Sequence, residues 1–217
     1  FKLLLMGYWD GISFIPLDFS FHREEGNNKE KPFGLKKKEL KKQYKKKRKT
    51  GTFTHERTAD ADMSKIDCAI KMFKRAISQG FKADYVLMDS WFTCEAFIDA
   101  VLSVKNQVVH LIGMYKIPKT KFQFCDGKYT HSQIRNMLGK AKRCRKLGFY
   151  YKEAVVHYND KQVKLFFSRQ GRNGKWKVFI CTDTNLSFIK MIEIYQIRWS
   201  IEVFFKESKQ LLGLGRC

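Results

Sequence analysis

The sequence predicts an α/β fold that carries a mostly β insertion. Helix-like and strand-like segments alternate between residues 64 and 115, as an α/β core requires. From about 116 to 183 the texture changes to short apolar and aromatic runs separated by turn residues. With 217 residues and 44% hydrophobic content, the chain can build one substantial core, or a core plus an insertion.

The elements follow in order. Residues 2–8 and 13–21 read as two strands joined by Trp9-Asp10-Gly11, a hairpin signal. Residues 22–62 are polar and charged, with ten Lys or Arg among the fourteen residues Lys36 to Lys49. That run is either a solvated helix or a disordered basic loop. Ser64 to Gln79 is an amphipathic helix with Ser64 as N-cap and Asp67 three residues on. Ile66, Ile70, Phe73 and Ile77 face its core side, and Gly80 stops it. Ala83 to Asp89 is a short buried strand with Asp89 at its C-terminal end, and a second helix spans roughly Cys94 to Val104. Val108 to Tyr115 is another buried strand. Within the insertion, Lys121–Tyr129 and Tyr151–Asp160 read as strands, and Lys164–Arg169 and Lys175–Thr182 as a hairpin about Gly171-Arg172-Asn173-Gly174. Residues 131–146 form a basic connector, and one last helix over about 187–212 closes the core. The expected division is therefore 1–115 for the first part of the core, with a basic loop at 22–62, then 116–183 for the insertion and 184–217 for the C-terminal helix.

Lys and Arg total 43 against 21 acids, a formal charge of +22. This excess points to a polyanionic partner, nucleic acid first and an anionic membrane surface second. No run of eighteen apolar residues exists, so no membrane-spanning segment is expected. The six cysteines form no C-x-x-C pair and read as reduced thiols rather than a zinc site. Both ends of the sequence read as cut, the first inside an apolar strand-like run and the last just after a helix end, so an internal piece of a longer protein is expected.

The chemistry concentrates on the last helix. Tyr195, Arg198, Glu202 and Lys209 are spaced by 3, 7 and 14 residues from Tyr195, which on a continuous α-helix places them within an arc of about 60°. A carboxylate that can bind a metal, beside cations that grip phosphate, suits phosphodiester chemistry. Asp89 is the second candidate, because α/β sheets place ligands at the carboxyl ends of their strands. Asp89 and Glu202 could hold a divalent metal through hard oxygen ligands. The competing readings are that Asp89 caps the following helix, that Glu202 belongs to a surface ion-pair network and that Tyr195 is a core-edge tyrosine. Arg198 and Lys209 either hold phosphates or balance helix charge. Trp91 is expected to pack beneath the strand that ends at Asp89. Trp176 either packs or stacks on an unpaired base. The five histidines show no metal spacing, and turn chemistry explains Asp10.

The pattern Y-x2-R-x3-E-x6-K at Tyr195, Arg198, Glu202 and Lys209 resembles the signature of insertion-sequence-4-type DDE transposases. The segments Y-V-L-M-D-S-W-F at 85–92, F-K-L-L-L-M-G-Y-W-D-G-I-S-F-I-P-L-D-F-S at the start, and H-L-I-G-M-Y-K at 110–116 are also similar to that family. The resemblance implies an RNase H-like core interrupted by the β-rich insertion, with a metal triad of two aspartates and a glutamate binding two Mg²⁺ or Mn²⁺. Asp89 takes the second-aspartate role and Glu202 the glutamate role, while Tyr195, Arg198 and Lys209 act at transposon-end phosphates. The first aspartate falls on a core strand upstream of the opening strand pair, so the first strand of the core is expected to be missing here, and neither Asp10 nor Asp18 replaces that aspartate. The implied activity is metal-dependent cleavage of transposon-end double-stranded DNA followed by strand transfer, by a homodimer on DNA in a bacterial cytoplasm. The alternatives are an RNase H-like nuclease without strand transfer, or an inactive DNA-binding remnant.

Overall fold

The computed structural model describes residues 2–22, 36–42, 46–117 and 119–214. They form a mixed α/β protein that divides into two compact units, Phe1–Phe81 with Val203–Cys217, and Lys82–Glu202. Part of the Lys36–Lys49 run and all of 23–35 lie outside the described residues.

In the first unit, β1 (Lys2–Trp9) and β2 (Phe14–His22) form the expected antiparallel hairpin. Asp10 Oδ1 accepts the backbone N–H groups of Ile12 and Ser13 at 2.8 and 2.7 Å, which fixes the turn. The register shifts between Met6 and Gly7, where a Cβ on Gly7 would lie 2.1 Å from the Phe14 ring. The inward face of β2 is polar: Asp18, Ser20 and His22 are buried. Such burial is tolerated only with partners. Asp18 takes Arg57 and Arg75, each at 2.6 Å, and His22 Nε2 lies 2.8 Å from Ser20 Oγ.

The basic run forms a short helix, α1 (Lys37–Lys42), and α2 (Phe53–Asp60) follows inside the segment read as a loop. Thr52 caps α2, accepting from His55 N. The amphipathic helix is α3 (Lys65–Ser78), capped by the Ser64 side chain and stopped before Gly80, whose φ is +88°. Its buried residues are Cys68, Met72 and Phe73, with Ile66, Ile70 and Ile77 half-buried. The core stripe is therefore centred one position away from the isoleucines.

The second unit is built on a mixed sheet. β3 (Tyr85–Met88) pairs in parallel with β4 (His110–Tyr115), and α4 (Glu95–Leu102) connects them. The sheet continues with β5 (Lys121–Phe124), β6 (Gly127–Thr130), β7 (Lys142–Cys144), β8 (Phe149–Tyr158), β9 (Lys161–Gln170) and β10 (Lys177–Cys181). Strand order is β3-β4-β10-β9-β8-β5-β6, with β7 on β8. The run Lys121–Tyr129 is thus two short strands, because Cys125, at φ 50°, turns the chain. The basic connector holds α5 (His131–Met137), closed by a Thr130–Gln133 capping box, and then β7. Residues 116–183 carry β5 to β10 and α5, and pair directly with β4 through β10.

Tyr151, Phe166, Phe179 and Cys181 share one face of the sheet with the helix α6 (Phe188–Tyr195), whose Phe188 stacks on Tyr151 at 4.2 Å. Alternation sends Ala154, Val156, Val163, Leu165 and Phe167 to the opposite face, where they are also buried. The last helix is not continuous. A 3₁₀ turn, Gln196–Arg198, separates α6 from α7 (Trp199–Leu211). Leu212, just past the end of α7, is 80% exposed. No helix among the described residues is long and apolar enough to cross a membrane.

Candidate functional site

Asp89 leaves the carboxyl end of β3, where the strand's last residue, Met88, is buried. Its side chain is exposed and does not cap α4, since Cys94 holds the N-cap position. Instead Oδ1 accepts the Trp91 N–H at 2.8 Å, closing an Asx turn. The Asp89 carbonyl accepts the Thr93 hydroxyl at 2.7 Å. Thr93 is buried, and it fits only because residue 113 on β4 is glycine. A Cβ there would lie 2.3 Å from Thr93 Oγ1 and 2.8 Å from its Cγ2. Gly113, Thr93 and Asp89 therefore form one chain of support. Sequence reading missed the first two, although a glycine inside an apolar strand is a signal of close approach.

Trp91, expected to pack beneath this strand, is 64% exposed. The Asx turn carries its backbone outward, and the buried position in the segment falls to Thr93 instead.

Tyr195 ends α6 and is buried against Phe179, ring centroids 4.9 Å apart. Its hydroxyl donates to Met88 O at 3.1 Å. It therefore anchors the last helix to the residue before Asp89. Burial raises its pKa above the ordinary phenol value, with Arg198 opposing and Asp89 reinforcing. The 3₁₀ turn explains the departure from the predicted arc. Three residues advancing about 120° instead of about 100° each add about 60° of rotation, as much as the whole arc.

Arg198 ends the 3₁₀ turn, lies over the Tyr195 ring at 5.6 Å and donates from Nη2 to Glu202 Oε1 at 2.6 Å, an i,i+4 pair reaching into the first turn of α7. Burial would lower its pKa, but the bond to Glu202, then Tyr195 and Asp89, outweigh that and raise it. Arg198 is thus bonded to one carboxylate and electrostatically coupled to the other. Its Nε is buried without a hydrogen-bond partner. Lys209 is exposed in the last turn of α7 and belongs to the first unit.

Tyr195 bonds to the residue before Asp89, Arg198 lies over Tyr195 and Glu202 is bonded to Arg198, whereas Asp10 and Asp18 are engaged elsewhere in a turn and in ion pairs. Asp89 Oδ2 and Glu202 Oε2 accept no hydrogen bond among the described residues. Two hard carboxylate oxygens suit Mg²⁺ or Mn²⁺. No group of three potential metal-binding side chains occurs among the described residues. No curated protein matches the chain. The family profile described as transposase DDE domain matches it over residues 11–217.

Proposed function

The chain belongs to the transposase DDE domain family, and from that premise we propose that it is the catalytic part of a DNA transposase with an RNase H-like core, acting on double-stranded DNA. The observation that carries the reading is how the last helix is tied to the end of β3: Tyr195 donates to Met88 O, the residue before Asp89, at 3.1 Å, and Arg198, stacked on Tyr195, bonds Glu202 at 2.6 Å. Family membership implies nuclease and transposition chemistry; insertion-sequence-4 type, strand transfer and a dimer on DNA belong to the proposal.

Asp89 and Glu202 are the residues that would hold Mg²⁺ or Mn²⁺, which when bound would activate the attacking hydroxyl and stabilise the leaving oxygen. The chain's own residues do the rest. The Asx turn and the Thr93 bond fix the Asp89 carboxylate, and Tyr195 fixes the backbone ahead of it. Arg198, with a guanidinium fork, and Lys209, as a point charge, would receive phosphates of the bound end. Water oxygen attacks phosphorus, the bond from phosphorus to the 3′ oxygen breaks, and a 3′-hydroxyl and a 5′-phosphate result. The freed 3′-hydroxyl then attacks a target phosphate in the same way.

The test is Glu202→Gln in the full-length protein with Mg²⁺ and end-bearing duplex DNA. Cleavage is expected to vanish while DNA binding persists, and cleavage that survives refutes the assignment. Strand-transfer products separate a transposase from a nuclease that only cuts. A second reading is a non-catalytic DNA-binding remnant. It predicts binding without cleavage in the unmodified protein.

A further inference from the structure

One face of the β8–β9 sheet carries a row of alternating cations and aromatic rings. Arg143 on β7 lies opposite Tyr150 on β8, and Tyr150 lies opposite Arg169 on β9. Continuing the β9–β10 register past Lys177↔Ser168 brings Trp176 beside Arg169, and the Arg169 guanidinium sits 4.7 Å from that ring. Arg143 and Arg169 lie 5.9 and 5.6 Å from the Tyr150 ring. Two further arginines close on the row: Arg135 from α5 over Trp176 at 5.7 Å, and Arg172 donating to Tyr150 Oη at 3.4 Å.

None of these four arginines joins an ion pair among the described residues. Arg169 Nε is buried with no hydrogen-bond partner. The positive field shows on its neighbours: the bond from Arg172, with Arg143 and Arg169, holds the Tyr150 phenol below its ordinary value. Lys152, on the same face, is pushed down by burial first and then by Arg135 and Arg169. Four guanidiniums that no acid offsets repel one another, and a polyanion would relieve that repulsion. Stacking on rings holds the planes of Arg143 and Arg169 and leaves their edges free for phosphate.

We propose that this arginine–aromatic row is a second DNA-backbone site, separate in sequence and in its residues from the carboxylates. Arg143 and Arg169 stand two strand spacings apart, about 10 Å. A DNA strand carries about one charge per 3.4 Å of axis, so the row spans about three phosphates. The inference rests on DNA being the partner but not on Asp89 or Glu202 being catalytic.

The test is salt-dependent binding of a labelled duplex of arbitrary sequence to the full chain. Arg143 and Arg172 are exposed, so Arg143→Gln/Arg172→Gln leaves the core untouched. The double variant should flatten the dependence of log affinity on log salt by about 1.8, which is about 0.9 for each phosphate that no longer meets a guanidinium. It should also weaken binding about tenfold or more at low salt. Arg169→Lys, which keeps charge but not the stacked fork, should give an intermediate loss. Wild-type slope and affinity in the double variant would overturn the inference, as would displacement of DNA by polyglutamate as effective as by unlabelled duplex at equal charge. If the wild-type chain binds but never cuts, and the double variant loses binding, the row stands and the catalytic reading fails. If Glu202→Gln abolishes cutting while the double variant binds like wild type, the reverse holds.

Discussion

Gly113→Ala tests whether the sheet itself positions Asp89. The new methyl would lie 2.3 Å from Thr93 Oγ1, 2.8 Å from Thr93 Cγ2 and 3.0 Å from Met88 Cγ. Both Thr93 and Met88 are buried, so neither can swing into solvent. Overpacking of this kind costs about 1–3 kcal/mol. If Thr93 yields, its bond to Asp89 O is lost and a further contribution of about 1 kcal/mol goes with it. Thr93→Ala alone should cost about 1–2 kcal/mol through that bond and the small void. In the double variant the methyl at position 113 enters the space that Thr93 leaves, so the two costs should not add. The expected coupling is about 1–3 kcal/mol, well above the roughly 0.5 kcal/mol scatter of independent sites. Urea denaturation of the four proteins measures it. At about 2–4 °C per kcal/mol for a chain of this size, melting temperatures should show the same pattern. Additive costs would refute the idea that Gly113 exists to seat Thr93, and with it the chain of support to Asp89.

Other consequences are simpler. Tyr195→Phe leaves Met88 O without its donor and should destabilise the protein by about 1 kcal/mol. It should also change the alkaline limb of stability. A phenol raised by burial stabilises the fold fully below its unfolded value near 10 and loses that contribution as pH rises through its folded value, so the Phe variant should fall less steeply there. Asp18→Ala removes the nearer carboxylate of Arg57 and Arg75, which keep Asp60 at 3.8 Å and Glu56 at 3.6 Å, and should cost about 2 kcal/mol in thermal or urea unfolding, whether or not metal is added. Among the thiols of the described residues, exposed Cys125 should react first with a disulfide reagent, while Cys181, buried and pushed up to about 12, should react only on unfolding.

Much of the architecture was legible because the signals were local. The Asp10-Gly11 hairpin, the Ser64 cap, the Gly80 stop and the strand ending at Asp89 each depend on a few adjacent residues. What was not legible depends on partners distant in sequence. The Lys121–Tyr129 run looks uniform until Cys125 takes a positive φ. Asp18 reads as an unremarkable strand residue until α2 and α3 bring Arg57 and Arg75 to it. Thr93 and Gly113 sit twenty residues apart and meet only because β3 and β4 pair in parallel. Trp91 resembles a core residue by type, yet the turn that holds Asp89 turns it outward.

The last helix shows how a correct spacing can conceal two different roles. Tyr195, Arg198 and Glu202 fit one α-helical stripe on paper, and none of Gln196, Ile197 or Arg198 is a residue type that breaks helices. The 3₁₀ turn nevertheless divides them. Before it, Tyr195 faces the sheet and bonds to the end of β3; from its last residue, Arg198 reaches forward to Glu202 on α7. A continuous α-helix would put all three on one side, and then either the phenol would leave the core or the ion pair would enter it. Tighter winding over three residues resolves that conflict, tying the backbone ahead of Asp89 to the same short segment that presents Glu202. An insertion of one residue in Gln196–Arg198 should therefore be more damaging to cleavage than to folding. It would rotate Glu202 by about 100° relative to Tyr195 while leaving the α6 core packing in place. A variant of that kind that retained full cleavage would show that the turn sets nothing at the site.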